Sequence, residues 1–131
     1  MPNLTMGEVN RRSGASGIGY IRGQGGAVTQ ATNRTTAVQL DKLTGQITTN
    51  NASLAAEASA NFTVTNSKVA IGDVVVASIQ SGSNGGNTAV TVVTVADGSF
   101  VLKVSNNNAA AGTAETGAII INFAVIKAVG A

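Results

Sequence analysis

The sequence predicts an all-β protein: an antiparallel β-sandwich of about eight strands with an extended N-terminal arm, for which a jelly roll is one candidate topology. Three observations support this prediction. Short runs rich in Val, Ile and Thr recur at close spacing, Gly, Asn and Ser separate them, and a single stretch has the composition of a helix. Because no helix is long enough to carry the chain between parallel neighbours, antiparallel pairing is expected.

The first 24 residues differ from the rest of the chain. They have no hydrophobic period and intersperse glycine with serine and arginine, so we interpret residues 1–24 as a flexible arm and residues 25–131 as the sandwich domain. The first 34 residues carry four arginines and one glutamate, whereas the remainder carries four lysines and five acidic residues. The arm is therefore basic, and Arg11, Arg12 and Arg22 are its candidate contacts with an acidic surface.

Eight segments of the sandwich domain have the pattern of strands: Ala27–Gln30, Ala37–Leu40, Gln46–Thr49, Ala60–Thr65, Gly72–Gln80, Thr88–Ala96, Ser99–Val104 and Ala118–Ala128. The alternation is clearest where Ala60, Phe62 and Val64 share one face. Asp97 and Gly98 join the sixth and seventh segments, and this pair predicts a tight hairpin with a positive φ at both residues. The segment 50–59 is predicted to be either one helical turn or a loop.

The last predicted strand is apolar on both faces, which is typical of a strand that lies at the centre of a sheet or against a second subunit. We expect self-association through Ile119, Ile121 and Phe123, which share one of these faces with Val125. The segments 81–87 and 106–117 are rich in Gly, Asn and Ala and are expected to be exposed loops.

The composition excludes several kinds of active site. The chain has no Cys, His or Trp, which excludes zinc sites built on Cys or His, thiol chemistry and triads that use an imidazole. Its six carboxylates are scattered, so a pair held together for acid–base catalysis is not expected. We predict that the chain is not an enzyme and has no catalytic, metal-binding or cofactor-binding residues. A hydrolase that depends on one of the carboxylates is the disfavoured alternative.

Other classes of partner are also disfavoured. Four scattered arginines and an aromatic content of 3% are a weak basis for nucleic-acid binding. Phe62, Phe100 and Phe123 are predicted to face the core, which leaves Tyr20 as the one aromatic platform for a sugar. No apolar run has the length of a membrane span, and no secretion signal follows Met1, so we expect synthesis in the cytoplasm. The weakly charged exterior suits close assembly with other protein surfaces.

Several segments together resemble a family of small virion structural proteins of tailed bacteriophages. They span residues 19–131 and are Gly19–Thr49, Phe62–Val69, Asp73–Val76, Asp97–Asn106 and Ile121–Val129. The resemblance implies a capsid cement or decoration protein, a homotrimer that binds the major capsid protein on the outer surface of the virion and ties neighbouring capsomers together. It implies synthesis in the host bacterial cytoplasm and brings no catalytic motif. Arg11 and Arg12 precede the matching segments, so their contact with the capsid is predicted from charge alone.

The alternative is a head-fibre or tail-associated adhesin domain of a phage. In that case the loops Ser81–Asn87 and Asn106–Gly117 would contact the host surface. The copy number in the particle distinguishes the two functions, because a shell offers many equivalent positions and a tail offers few.

Overall fold

The structure, a computed structural model, describes residues 18–82 and 84–128. Within these ranges the chain forms eight strands and no helix: β1 (Gly26–Thr29), β2 (Val38–Gln39), β3 (Thr44–Thr48), β4 (Ser59–Thr65), β5 (Val74–Ser81), β6 (Thr88–Ala96), β7 (Ser99–Asn106) and β8 (Ile120–Ile126). The predicted all-β class is confirmed. The segment 50–59 is a loop up to the start of β4, and within it Glu57 has a φ of 65° that ends any helical path.

The strands form two four-stranded sheets, with the orders β1-β3-β8-β5 and β2-β4-β7-β6. β8 lies inside its sheet, as predicted for a strand that is apolar on both faces. Most pairings are antiparallel, but β1 pairs with β3 and β2 pairs with β4 in parallel. The exclusively antiparallel pairing that was expected is therefore wrong for these two pairs. Between β1 and β4 the chain alternates between the sheets, so a strand in the other sheet takes the place of the helix that usually connects parallel neighbours. The jelly roll is not confirmed.

The core lies between the two sheets, and alternate side chains of the long strands fill it. Phe62, Leu102 and Phe123 are at most 2% exposed, and the rings of Phe100 and Phe123 meet across the sandwich with centroids 5.3 Å apart. The buried apolar side chains are Val38, Ile47, Leu54, Ala60, Phe62, Val64, Val69, Val75, Phe100, Leu102, Val104, Ile119, Ile121, Phe123 and Val125. The predicted inward faces of β4 and β7 are confirmed, and so is the predicted core-facing position of Phe123 in β8.

The structure corrects the proposed self-association residues. Ile119, Ile121 and Phe123 are 0%, 0% and 2% exposed and belong to the core of their own subunit, so they are not a contact surface in the folded chain. Because both faces of the last strand are apolar, its periodicity separated the two faces without showing which one the second sheet covers. The face that reaches solvent carries Asn122 and Ile126.

The predicted hairpin between β6 and β7 is confirmed, and Ala96 pairs with Ser99 across the two turn residues. The turn differs from the prediction in one respect: φ is positive at Gly98, at 80°, but not at Asp97. Instead, the Asp97 carboxylate accepts a 2.7 Å hydrogen bond from the Ile71 amide, which ties the turn to the connection before β5. Asp97 therefore has a structural role.

Gly45 provides a test of how tightly β3 packs against the core. A Cβ atom at this position would lie 2.5 Å from Leu40 Cδ2 and 2.9 Å from Phe123 Cε1. We expect Gly45→Ala to lower the free energy of unfolding by about 1–3 kcal/mol, because the surrounding core has to shift. Urea denaturation measures this change, with Gly82→Ala as the matched control since its Cβ would approach nothing closer than 3.7 Å. Equal stability of the two variants would contradict the packing described.

Candidate interaction surfaces

The outward face of the β1-β3-β8-β5 sheet is free of charge. We call it the neutral face and define it by the side chains opposite to the core: Ala27, Thr29, Thr44, Gln46, Thr48, Val74, Val76, Ser78, Gln80, Ile120, Asn122, Ala124 and Ile126. None of these residues, all in the described part of the chain, is ionisable. Such a face is suited to contact with another protein, because covering it would desolvate no charge.

One end of the neutral face is apolar. Val74 pairs with Ile126 across β5 and β8, and Val76 pairs with Ala124 on the next outward position. Val74, Val76 and Ile126 are 47%, 49% and 52% exposed, and Ile71 in the preceding loop is 71% exposed. A cluster of exposed branched side chains at one place on a small domain is typical of an interaction site.

The centre of the neutral face is a cluster of amides that spans three strands. Gln46 Nε2 donates to Gln80 Oε1 at 2.8 Å and to Asn122 Oδ1 at 3.2 Å, and Asn122 Nδ2 donates to Gln80 Oε1 at 3.2 Å. These bonds hold exposed side chains in place without charge. The neutral face therefore presents a fixed polar centre beside an apolar end.

The outward face of the other sheet is less uniform. It carries mainly serine and threonine on β4 and β6, but Lys103 lies in its middle, paired with Asn61 and Thr91 on the neighbouring strands. A partner that covered this face would have to desolvate the Lys103 ammonium group or provide it with an acidic partner. The neutral face is therefore the better docking surface of the two.

The described part of the arm leaves the sandwich beside the apolar end of the neutral face. The Tyr20 hydroxyl donates a hydrogen bond to the Val125 carbonyl of β8, which attaches the segment there. Ile21 and Arg22 are exposed, with Ile21 at 54%. Of the predicted contacts, Arg22 lies in this segment, whereas Arg11 and Arg12 lie outside the described residues.

The charged side chains of the sandwich gather mostly at this same end. Lys127 Nζ lies 2.5 Å from Asp73 Oδ2 and also donates to the Lys68 carbonyl at 3.0 Å. The Lys127 hydrogen bond, followed by that from the Ala70 amide, lowers the pKa of Asp73 below its ordinary value. The amide of Ser67 similarly lowers the pKa of Asp41. The carboxylates of Asp73 and Asp41 therefore have structural roles as hydrogen-bond acceptors.

The two lowered pKa values predict how stability depends on pH. A carboxylate with a lowered folded-state pKa stabilises the fold above its unfolded pKa, about 3.9, and this contribution is lost as the pH falls through the folded value. We expect the unfolding free energy of the wild-type chain to exceed that of Asp73→Asn near neutral pH, and the difference to vanish in acid. Denaturant titrations at a series of pH values measure it. A difference that is constant with pH would show that Asp73 does not act through its charge.

The opposite end of the sandwich contains buried polar groups that the sequence did not indicate. Arg34 and Glu115 are 5% and 0% exposed. Arg34 Nε donates to the Ala52 carbonyl, and Nη2 donates to the carbonyls of Glu115 and Gly117 at 3.3 and 2.8 Å. Burial lowers the pKa of Arg34, and the Glu115 carboxylate opposes this shift by its charge. The pair joins the β1–β2 loop to the long loop before β8.

Asparagine amides complete this end. Most described residues of the predicted loops 81–87 and 106–117 are exposed, as expected, but some of their polar side chains are buried. Asn84 and Asn106 are 7% and 1% exposed. Asn106 Nδ2 donates to the carbonyls of Leu54 and Thr113, and its Oδ1 accepts from Asn84 Nδ2 at 3.0 Å. Asn108 Nδ2 in turn donates to Asn84 Oδ1 at 2.9 Å. The loops are therefore fixed to one another, since burying an unbonded amide would be costly.

A shallow polar cleft of about 360 Å³ lies beside this network. Its lining residues are Glu57, Ala58, Ser59, Ser105, Asn106, Asn107, Asn108 and Ala109. The described residues contain no group of three or more acidic, His or Cys side chains that could hold a metal ion. They also contain no helix that is long and apolar enough to span a membrane.

No family model matches the chain, and neither a curated protein nor a solved structure is detectably similar to it.

Proposed function

We propose that this chain is a virion structural protein of a tailed bacteriophage that decorates the capsid, binds the outer surface of the major capsid shell and ties neighbouring capsomers together. The observation that supports this function best is the neutral face, an uncharged sheet surface with an apolar end. The segments of the sequence that resemble small phage structural proteins supply the class of partner.

The proposed mechanism needs no bond to be made or broken. The neutral face packs against the shell. This contact removes the apolar side chains of Val74, Val76 and Ile126 from water. Arg22, in the described part of the arm, lies at the same end of the domain and would meet acidic groups on an adjoining capsomer. Each contact is weak, but a homotrimer that engages several capsomers at once gains affinity through effective concentration.

Co-sedimentation of the full-length chain with capsids of the phage that encodes it, purified without this protein, tests the proposal. We expect the wild-type chain to travel with the capsids and Ile126→Glu to bind more than about tenfold more weakly, because docking would bury its charge without a partner. Asn61→Glu, an exposed position on the opposite sheet, is the matched control and should bind like the wild type. Equal binding by both variants would exclude the neutral face, and no binding by the wild type would overturn the function.

The second candidate is a head-fibre or tail-associated adhesin. The polar cleft favours it, because Ser59, Ser105 and Asn107 line the cleft and make no side-chain hydrogen bond within the described chain. Glu57 beside them holds a positive φ of 65°, a conformation that often accompanies binding sites. Specific retention of the wild-type chain on host cells, lost with Ser105→Ala, would support this candidate over decoration of the shell.

A further inference from the structure

The two sides of the sandwich, where the sheets end, are unequal. On one side the edge strands are β1, with four residues, and β2, with two. On the other side they are β5 and β6, with eight and nine residues. A short edge offers little backbone to another chain, whereas a long one presents a row of unpaired amides and carbonyls. We call the side formed by β5 and β6 the open side.

The open side lacks most of the features that usually prevent edge pairing. β5 and β6 contain no charged residue, no proline and no glycine. Within the described chain, no backbone hydrogen bond from another segment reaches their free edges, and each is paired on one edge alone, with β8 or with β7. Each ladder has one irregularity, near Ser81 and near Val93. β6 is almost entirely β-branched, which favours addition of a further strand.

The core is also incompletely covered along the open side. The inward side chains of the central strands β4, β7 and β8 are at most 7% exposed. On the edge strands, by contrast, Ala77, Ile79, Val90, Val92 and Val95 pack against the core but are only partly buried. Partly exposed apolar side chains and unpaired backbone groups therefore lie together along the open side.

We propose that a second copy of this chain covers the open side, with β5 of one copy pairing antiparallel with β6 of the next. β5 runs toward the end that holds the asparagine network and β6 runs back from it after a short loop, so the two strands have opposite directions. Rotation about an axis parallel to the strands preserves those directions and brings β5 beside a neighbouring β6 in antiparallel orientation. Any closed ring of copies about such an axis uses every such edge once, and the homotrimer of the proposed function sets the number of copies at three.

A copy of the same chain is the occupant that the chemistry favours. The two edges match in length and neither carries charge, so they complement each other and offer nothing to an acidic or basic partner. The neutral face remains free on the outside of such a ring. The inference identifies the surface that the homotrimer of the proposed function would use, and it stands or falls independently of binding to a shell.

Analytical ultracentrifugation of the full-length chain over a wide range of concentration tests the inference. We expect the wild-type chain to form a closed trimer and the double variant Ser78→Lys with Thr91→Lys to dissociate at least about tenfold more readily. Both residues are exposed on the edge strands, and the paired edges would place their like charges on neighbouring strands. Ser78→Glu with Thr91→Lys should restore the trimer. Thr29→Lys, on the short edge strand β1, is the matched control and should assemble like the wild type.

Hydrogen exchange distinguishes lost assembly from lost folding. In the wild-type oligomer, amides of both β5 and β6 should be protected along their whole length, whereas in the double lysine variant alternate amides should exchange quickly while β4 and β7 stay protected. A wild-type chain that remains a monomer at all concentrations would overturn the inference. A trimer that the double lysine variant leaves intact would place the contact elsewhere. Assembly without binding to capsids would refute the proposed function and leave this inference standing.

Discussion

Arg34→Ala is expected to destabilise the folded chain by about 3–5 kcal/mol. The guanidinium group is nearly buried and donates hydrogen bonds to the carbonyls of Ala52, Glu115 and Gly117 and to Thr49 Oγ1. Its removal leaves these acceptors unsatisfied and leaves the buried Glu115 carboxylate without the opposing charge of Arg34. Chemical denaturation monitored by circular dichroism measures the loss.

Two further variants separate the contributions of charge and hydrogen bonding. Arg34→Lys keeps the charge but lacks the planar group that reaches several carbonyls, so we expect an intermediate loss of stability. Arg22→Ala removes an exposed arginine and should change stability by no more than about 0.5 kcal/mol. If Glu115→Gln costs less in the Arg34→Ala background than in the wild type, the two groups are coupled. Additive effects would contradict an electrostatic link between them.

Phe123→Ala is expected to lower the free energy of unfolding by about 3–5 kcal/mol, because it empties the centre of the core. The ring is 2% exposed and packs against Phe100 across the two sheets. This substitution distinguishes a core residue from a contact between subunits: a core residue affects unfolding at every protein concentration, whereas a contact residue would affect mainly the dissociation of the oligomer.

Ile126→Ala is the matched control for Phe123→Ala, since Ile126 lies on the same strand with its side chain 52% exposed. Its stability should change by less than about 1 kcal/mol, because about half of the side chain is already in water. Urea denaturation at two protein concentrations compares the variants. A Phe123→Ala chain as stable as Ile126→Ala would show that the ring does not fill the core.

Local pattern was sufficient to predict much of this fold. The alternation of Phe62 and Val64, and of Leu102 and Val104, identified inward faces because a strand has a period of two wherever one face is covered. Asp97-Gly98 marked the hairpin because its turn chemistry is local. The same local information could not show that β1 and β3 are parallel, since that pairing depends on how the chain crosses between the sheets.

The burial of these polar groups could not be predicted from the sequence, for a different reason. Arg34 reaches the carbonyl of Gly117, 83 positions further along the chain, and Asn106 reaches that of Leu54. Asparagine-rich and alanine-rich segments have the composition of exposed loops, and their burial depends on hydrogen-bond partners that are distant in sequence. One weak signal was present: Arg34 and Glu115 are isolated charges in otherwise uncharged stretches.

The proposed decoration of a phage capsid is tested most directly by quantitative mass spectrometry of purified particles of the tailed phage that would encode this chain. If the chain decorates the shell, its copy number should match the many equivalent positions of an icosahedral capsid and scale with the major capsid protein. Absence from the particles, or a copy number that fits the few positions of a tail, would contradict this account.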